Sequence, residues 1–379
     1  MFTIITVNVN GLRDPNKSMS FLQWLSHLSA DVVCLQECHV LSCAEVDSWF
    51  SPYGCLALSS PGSVHSCGSV ILYRSTFTLV KSSLGDICES WSDFYKSLFT
   101  ACTVDLVAQS ALLSNVSSSL TAEQAALCEG HLVPDEVRAA LLGMARNKTP
   151  GSDGLPMEFY LTFWDVLGSD LVEVFNASFD AGRMSSSQRS ALISLLFKKG
   201  DRLLHKNWHP IGLLNVDYKL CARALAGRLL KVLHFVVHPD QTCGVRGRYF
   251  GKNVSLLRDI AAFVNQEDLS AAVLSLDQEK AFHCVDWGFL RSTLVHMGFG
   301  RSFVSWVDLL YHGICSNVLV NGYMSAPFWP SRGVWQGCPL SPLLYVISIE
   351  VLAANLHAHP DIVGLRLPQS SDPLPALSL

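Results

Sequence analysis

At 379 residues the chain is long enough for two or three domains with cores of their own, and 49% hydrophobic against 16% charged residues excludes a disordered chain. A net charge of −5 argues against a simple basic nucleic-acid binder. No continuous run of eighteen apolar residues suggests a membrane span, so no membrane partner is expected. The thirteen cysteines are odd in number and lack paired C-x-x-C spacing, which fits free thiols inside a cell, nuclear or cytoplasmic, better than disulfides or a zinc site. Cys34, Cys38 and Cys43 lie close together but read as packing residues. The N-terminus has neither a basic n-region nor a small-residue cleavage site, so no signal peptide is expected.

Phe2–Val7 reads as a strand running into the turn residues Asn8, Asn10 and Gly11. A helix is expected over Ser20–Leu28, with Phe21, Trp24, Leu25 and Leu28 at helical spacing. Asp31–Glu37 is a second apolar strand ending in a carboxylate, and Gly68–Tyr73 a third. A lone Glu at a strand end is ordinarily a solvated terminus. The order strand, helix, strand with Asn8 and Glu37 at strand ends nevertheless resembles the opening of the endonuclease/exonuclease/phosphatase fold. That resemblance implies that Asn8 and Glu37 once helped bind Mg²⁺ at a scissile phosphate. It stops near Lys81. The family's later catalytic pairs have no counterpart here: His27, His39 and His65 are the local histidines and none stands beside an Asp. A layered sandwich also needs roughly twice these residues to cover its sheets. The segment is therefore expected to be a half-domain with poorly stabilised strands and no nuclease activity.

From Glu89 the pattern turns helical, with Trp91, Phe94, Tyr95, Leu98 and Phe99 on one broad face. Thr121 and Gln124 form a capping box, and Pro134 suits the first turn of a helix to about Arg146. Asn147–Gly154 is a loop by composition. Helices are expected near Met157–Leu167 and Asp170–Asp180, and a strand over Ala191–Phe197 leads to Lys198, Lys199, Gly200 and Asp201. Asn215–Val237 forms a long basic amphipathic helix carrying Lys219, Arg223, Arg228 and Lys231. Between Arg183 and Arg258 stand 14 Lys and Arg against three acids, an excess of +11, while the remainder carries −16. A solvated basic face accounts for such an excess, but its spread over several elements favours a phosphate-facing surface.

Ala271–Trp287, AAVLSLDQEKAFHCVDW, holds a short β-prone run, Val273, Leu274 and Leu276, that ends in Asp277. Sheets of mixed α/β proteins place functional groups at such strand ends. On these residues alone an Asp capping the next helix is an equal reading. Trp287–His296 and Ser302–His312 read as helices, and Asn317–Phe328 as a hairpin turning at Asn321-Gly322. Arg332–Tyr345, RGVWQGCPLSPLLY, combines close-approach glycines with two turn prolines, and an apolar helix follows to about His357.

D-x-x-K-A-F followed roughly fifty residues later by R-G-V-x-Q-G-C-P-L-S-P-L-L-Y resembles the reverse transcriptases of LINE-type non-LTR retrotransposons. The resemblance implies an α+β fold: an incomplete α/β-sandwich endonuclease segment (1–82), a helical linker (83–133), then right-hand fingers and palm without a thumb (134–379). It implies an RNA template, a DNA primer, deoxynucleotides and Mg²⁺. By family, Asp277 and the Gln278 backbone would hold metal, and Asp277 would be catalytic. Lys199, Phe282, Gln336 and Gly337 would handle the nucleotide. Gln241–Asn253 resembles the family's QTGFxPGR segment, so Arg246, Arg248 and Lys252 would meet template and primer.

Several departures weaken that chemistry. NWHPIGLLN has His209 where the family has Arg and Gly212 where it has Ser, and a neutral imidazole cannot give phosphate a bidentate fork. His283 stands at a usual Asp and Trp335 at a usual Arg. Two-metal nucleotide addition needs carboxylates on adjacent strands, yet no Asp-Asp dipeptide occurs in these residues. Glu350, Asp361 and Asp372 are poorly placed substitutes. Pro375–Leu379 reads as an apolar strand that would lead into such a pair. Polymerisation by this chain is therefore not expected. A non-catalytic nucleic-acid binder using the basic region is the second reading, and an Mg²⁺-dependent endonuclease the third.

Overall fold

The computed structural model describes residues 3–9, 11–12, 14–39, 42–51, 55–60, 68–74, 84–362 and 364–365. Asn10, His65, Lys81, Asp372 and Pro375–Leu379 therefore lie outside the described residues. Two compact units divide the chain, Met1–Ile87 and Cys88–Leu379.

In the first unit β1 (Ile4–Asn8), β2 (Val32–Gln36), β3 (Cys55–Ser60) and β4 (Ser69–Arg74) form a sheet in the order β1-β2-β4-β3. β1 and β2 are parallel, with Asn8 opposite Gln36, and the other pairs are antiparallel. Helix α1 (Pro15–Ser26) starts earlier than hydrophobic spacing suggests, because the Asp14 carboxylate caps Asn16 and Lys17 and Pro15 presets the first turn. Helix α2 (Cys43–Phe50), capped by Ser42, and strand β3 carry too little alternation to be read from sequence. Val33, Leu35, Val70 and Leu72 point to one face and bury against Leu25, Val46 and Phe50. The alternate residues Ile4, Leu56 and Ile71 remain exposed. A two-residue period gives every strand both faces, so one layer of helices can cover only half of this sheet's apolar surface.

The second unit begins within α3 (Leu84–Leu98) and continues through α4 (Leu106–Ser114), α5 (Ala122–Ala126), α6 (Pro134–Leu142), α7 (Met157–Thr162) and α8 (Trp164–Asp180). Both expected caps are formed. The Thr121 hydroxyl accepts from the Gln124 N–H while Gln124 accepts from the Thr121 N–H, and Pro134 opens α6. Residues 88–133, expected as a helical linker, are helical but belong to this unit: Trp91, Tyr95 and Phe99 are buried in it.

A second sheet follows the order β6-β5-β7-β8, built from β5 (Ser190–Phe197), β6 (Trp208–Leu214), β7 (Cys315–Val320) and β8 (Tyr323–Met324). β5 runs parallel to β7 and antiparallel to β6. Pro210 is tolerated because β6 is an edge strand. The β7–β8 turn falls at Asn321 and Gly322, both with positive φ, as an Asn-Gly hairpin requires.

The remaining helices are α9 (Val216–Val236), α10 (Gly251–Gln266), α11 (Trp287–His296), α12 (Arg301–Tyr311) and α13 (Ser341–Ala358), of which α10 buries none of its residues. α13 is long and apolar enough to cross a membrane, yet Leu343, Leu344, Ile347 and Val351 are buried in the unit's core.

Helix α9 has the expected extent but not the expected role. Thirteen of its residues are buried, Arg228 among them. The Arg228 guanidinium pairs with Glu136 at 2.6 Å and donates to the carbonyls of Cys128, Glu129, Gly130 and His131. Arg228 is thus removed from the phosphate-facing set: it satisfies the open end of the α5–α6 connection. Glu136 also accepts the Val133 N–H and so fixes the start of α6. Truncating one partner of a buried ion pair strands the other charge. Arg228→Ala is expected to cost about 3–5 kcal/mol in denaturant unfolding, whereas Lys231→Ala on the exposed side of α9 stays within about 0.5 kcal/mol.

Candidate nucleotide-handling site

The apolar run ahead of Asp277 is not a strand. Residues 269–278 form no ladder with any described residue, and Val273, Leu274 and Leu276 are 69%, 81% and 68% exposed. The expected central strand is corrected accordingly. β propensity needs a neighbour to pair with, and none of the four strands of this sheet takes that place. Asp277 is exposed at the end of the run.

Immediately after it the chain becomes tightly held. Lys280 takes a left-handed conformation and starts a single 3₁₀ turn, Ala281–Cys284. The Val334 N–H donates to the Phe282 carbonyl and the Gly333 N–H to the Val285 carbonyl, each at 2.7 Å. The Trp287 indole N–H returns to the Gly333 carbonyl at 2.8 Å. The Asp-bearing segment and the glycine–proline loop are therefore bonded together directly. Arg332 secures the far side of that loop through two guanidinium bonds to the Leu98 carbonyl.

Phe282 stacks on Tyr345 with ring centroids 5.0 Å apart, and the Tyr345 hydroxyl donates to the Gln278 side-chain oxygen at 2.8 Å. Burial, and next the Asp277 charge, raise the Tyr345 hydroxyl above its ordinary pKa, which places the Asp277 carboxylate in its field. Gln336 sits at the apex of the loop with a buried side-chain oxygen that has no partner. Gly337 is exposed beside it. Gly212 on the edge strand β6 donates its N–H to the Gln336 carbonyl at 2.9 Å, and a Cβ at Gly212 would lie 2.9 Å from that oxygen. The glycine in place of the family's serine therefore has a local reason. It lets a loop carrying the buried Trp335 lie against the sheet edge.

His283 is buried against Phe99, with ring centroids 5.2 Å apart, and its Nδ1 has no partner. Burial, reinforced by His209 and Lys280, holds its pKa down to about 4. His209 is likewise lowered by burial and then by Lys198. Both rings are neutral where the family carries charge. The lysine whose charge reaches them is Lys198. Lys199 stands exposed on the same turn.

Among the expected template contacts, Arg246 and Lys252 are exposed, whereas the Arg248 guanidinium donates to the carbonyls of Val237, His238 and Gln241. A cavity of about 180 Å³ opens between the 144–149 loop, α9 and the glycine–proline loop, lined by Lys148, Lys219, Arg223 and Gly337. Sequence reading missed Lys198, Tyr345 and this cavity. Only the recurrence of Lys and Arg on both sides of the cavity could have signalled it.

The donor set at Asp277 does not fit a two-metal centre. Asp277 is not part of any cluster of three His, Cys, Asp or Glu ligand atoms among the described residues. The neighbouring Glu279 reaches Lys280, Glu350 accepts the His238 N–H, and Asp361 is exposed in a turn. In the first unit Asn8 and Glu37 lie at the same ends of neighbouring parallel strands, and no metal-ligand cluster among the described residues includes Glu37.

The bonded pair of motif segments, one bearing a lone Asp and the other a glycine–proline loop, lies within the stretch of the second unit that a family model matches. The sequence model of the reverse transcriptase (RNA-dependent DNA polymerase) family matches residues 197–366, and that of the endonuclease/exonuclease/phosphatase family matches residues 5–109. The chain is 47% identical over 216 residues to the transposon TX1 uncharacterized 149 kDa protein of Xenopus laevis, covering 57% of this chain and 16% of that protein. It is 22% identical over 268 residues to the Pol polyprotein of the type-2 retrotransposable element R2DM of Drosophila melanogaster, covering 71% and 23% respectively. To the Pol polyprotein of the type-1 element R2 of Popillia japonica it is 26% identical over 231 residues, 61% of this chain and 31% of that protein. These matches support a LINE-type non-LTR retrotransposon polyprotein, and the reverse-transcriptase and endonuclease families it resembles generally depend on divalent metals. The chain spans less than a third of the length of these relatives.

Two measurements test the geometry of this site. Gly212→Ala should cost about 1–3 kcal/mol in thermal unfolding, because the loop carbonyl must move. His283 titrates below its unfolded value, so protonation favours the unfolded chain. Its contribution to stability is complete above about pH 6.5 and is lost as pH falls toward 4, by about 3 kcal/mol in total. His283→Leu should flatten the stability profile in that window, which denaturant melts at pH 4.5 and 7.5 would measure.

Proposed function

We propose that this chain is the fingers-and-palm part of an RNA-directed DNA polymerase, able to hold an RNA template and DNA primer but, in these 379 residues, unable to add nucleotides. One observation carries the reading: Asp277 emerges next to the Phe282–Tyr345–Gln278 group on a loop bonded to the palm motif, and among the described residues it joins no cluster of three metal-ligating side chains. Asp277 and the Gln278 backbone would be ligands of Mg²⁺. One carboxylate with water holds that ion weakly, and a two-metal displacement needs more.

Lys198, Lys199, Arg246 and Lys252 are exposed cations that would meet the phosphates of template, primer and deoxynucleotide, with Lys148 and Lys219 beside the cavity. The intended compartment is nuclear or cytoplasmic, where such nucleic acids occur. For the N-terminal part (1–82) the reading is an endonuclease remnant whose Asn8 and Glu37 no longer cut. Plasmid nicking with Mg²⁺ that disappears in Glu37→Ala would overturn that part.

The main test uses a labelled DNA primer on an RNA template. Binding by anisotropy should weaken steeply with added salt, and Arg246→Glu with Lys252→Glu should weaken it about tenfold or more at low salt. With Mg²⁺ and deoxynucleotides the primer should stay unextended. Extension that vanishes in Asp277→Asn would refute the catalytic half, and absence of binding at low salt would refute the other.

A further inference from the structure

Far along α13 from the glycine–proline loop, its last turn brings His357 up to the residues that follow α9. His238 and Asp240, separated by Pro239, stand there on a short loop. The His238 Nδ1 lies 3.4 Å from Asp240 Oδ2, and His357 Nε2 lies 4.0 Å from the same oxygen. One donor atom from each of the three residues falls within 4.8 Å of the others, and the two imidazole centroids are 4.4 Å apart. Donor atoms on one tetrahedral Zn²⁺, bonded at about 2.0–2.1 Å, stand roughly 3.4 Å from each other. The Asp240 oxygen, 3.4 and 4.0 Å from the two imidazole nitrogens, is already close to that spacing.

A second observation separates this cluster from an ordinary His–Asp contact. Asp240 Oδ2 and His357 Nε2 are both buried, yet neither has a hydrogen-bond partner. Glu350, two turns earlier on α13, gives one oxygen to the His238 N–H at 3.0 Å and leaves its other oxygen buried and unpartnered. Native proteins rarely leave several polar atoms unsatisfied at one place unless an ion or a water occupies it. Two carboxylates close enough to influence each other, with Arg248 as the nearby cation, also form a setting that a divalent ion would neutralise.

The surroundings hold the donors in place. The Asp240 N–H donates to His238 Nδ1 at 3.3 Å, which marks that nitrogen as the unprotonated one, and an ion bound there would displace this long bond. Arg248 grips the carbonyls of Val237, His238 and Gln241, and the Asn253 amide donates to the Asp240 carbonyl. Metal sites are commonly built in this way, with outer residues fixing ligands whose own bonds are few.

We propose that His238, Asp240 and His357 bind one transition-metal ion, Zn²⁺ by the chemistry of two imidazoles and a carboxylate, with water in the fourth position. The ion clamps the end of α9 to the end of α13. It lies apart from Asp277, and its role is to stiffen the helix on which the glycine–proline loop is mounted. The proposal stands whether or not the chain polymerises.

The test uses the full chain stripped of metal by chelator and titrated with Zn²⁺ and then with Co²⁺ as a spectroscopic substitute. Cysteines are the competing ligands, and cobalt distinguishes them: thiolates add an intense near-ultraviolet charge-transfer band that nitrogen and oxygen ligands lack. We expect one ion per chain, a visible cobalt band without the thiolate feature, and a melting point raised by several degrees with Zn²⁺. His357→Ala and Asp240→Asn should each lower affinity by at least about tenfold, while Cys243→Ser leaves it unchanged. Unaltered affinity in both ligand variants, a thiolate band, or no ion bound by the folded chain would overturn the proposal. Should either variant fail to fold, the wild-type cobalt spectrum decides the matter alone.

Discussion

The structure around the candidate site depends on the backbone bonds that join the turn after Asp277 to the loop before α13. Two N–H groups, from Gly333 and Val334, satisfy the carbonyls of Val285 and Phe282. Without them neither segment would have a fixed position, since the turn is too short to be a helix and the loop contains no ladder. Once they form, other placements follow from sterics. Phe282 faces Tyr345, His283 turns inward to Phe99, and Trp335 is carried under the loop toward the same ring at 6.1 Å. The N–H of Gly212 reaches the apex of the loop only because no side chain intervenes. The departures at 212, 283 and 335 therefore meet in one packed region. A neutral imidazole and an indole replace charged groups where burial would make charge costly.

Much of the fold was legible because it rests on local signals. The capping box at Thr121, Pro134 at a helix start, the Asn321-Gly322 hairpin and the length of α9 were readable from sequence alone, since each is decided within a few residues. The misses have a common cause as well. Strand β6 contains Pro210 and Gly212, which count against a strand unless it is known to lie at a sheet edge. Helix α10 hides behind glycines that looked like a contact loop. The run at Val273–Leu276 failed in the opposite way. Its propensity is real, but a strand is made by its partner, and partners lie far away in sequence.

The candidate site divides similarly. Motif spacing located Asp277, Phe282 and Gln336, and the fold brings Phe282 against Tyr345 and the loop of Gln336 beside them. Charge counting served less well. Of the fourteen cations between Arg183 and Arg258, four arginines spend their guanidinium groups on internal carbonyls: Arg189 on Met184 and Gly313, Arg223 on Gly143, Arg228 on the α5–α6 connection, and Arg248 on the loop after α9. A guanidinium offers five donors in a plane, so it is well suited to gathering carbonyls where a chain turns. Sequence cannot separate that use from phosphate binding, because both call for the same residue in glycine-rich, helix-ending surroundings. Five of the six lysines are different: Lys198, Lys199, Lys206, Lys231 and Lys252 are exposed, while Lys219 is half-buried. The local excess of +11 therefore overstates the surface available to a nucleic acid, and lysines make up most of what remains.

Asp277 shows why a well-formed setting does not by itself supply chemistry. Its neighbours are a phenol and an amide, Tyr345 and Gln278, joined to each other by a hydrogen bond. Neither is an anion, and the other carboxylate of that segment, Glu279, is exposed and lies 4.0 Å from Lys280. Phosphoryl transfer between nucleotide and primer asks the metal to bind oxygens on both sides of the bond being made, which requires the ion to be fixed from more than one direction. The stacking of Phe282 on Tyr345 and the pinned loop fix a shape, and shape is all that they fix. Holding two cations close together depends instead on opposing charge, for which residues 271–280 offer Asp277 and the exposed Glu279.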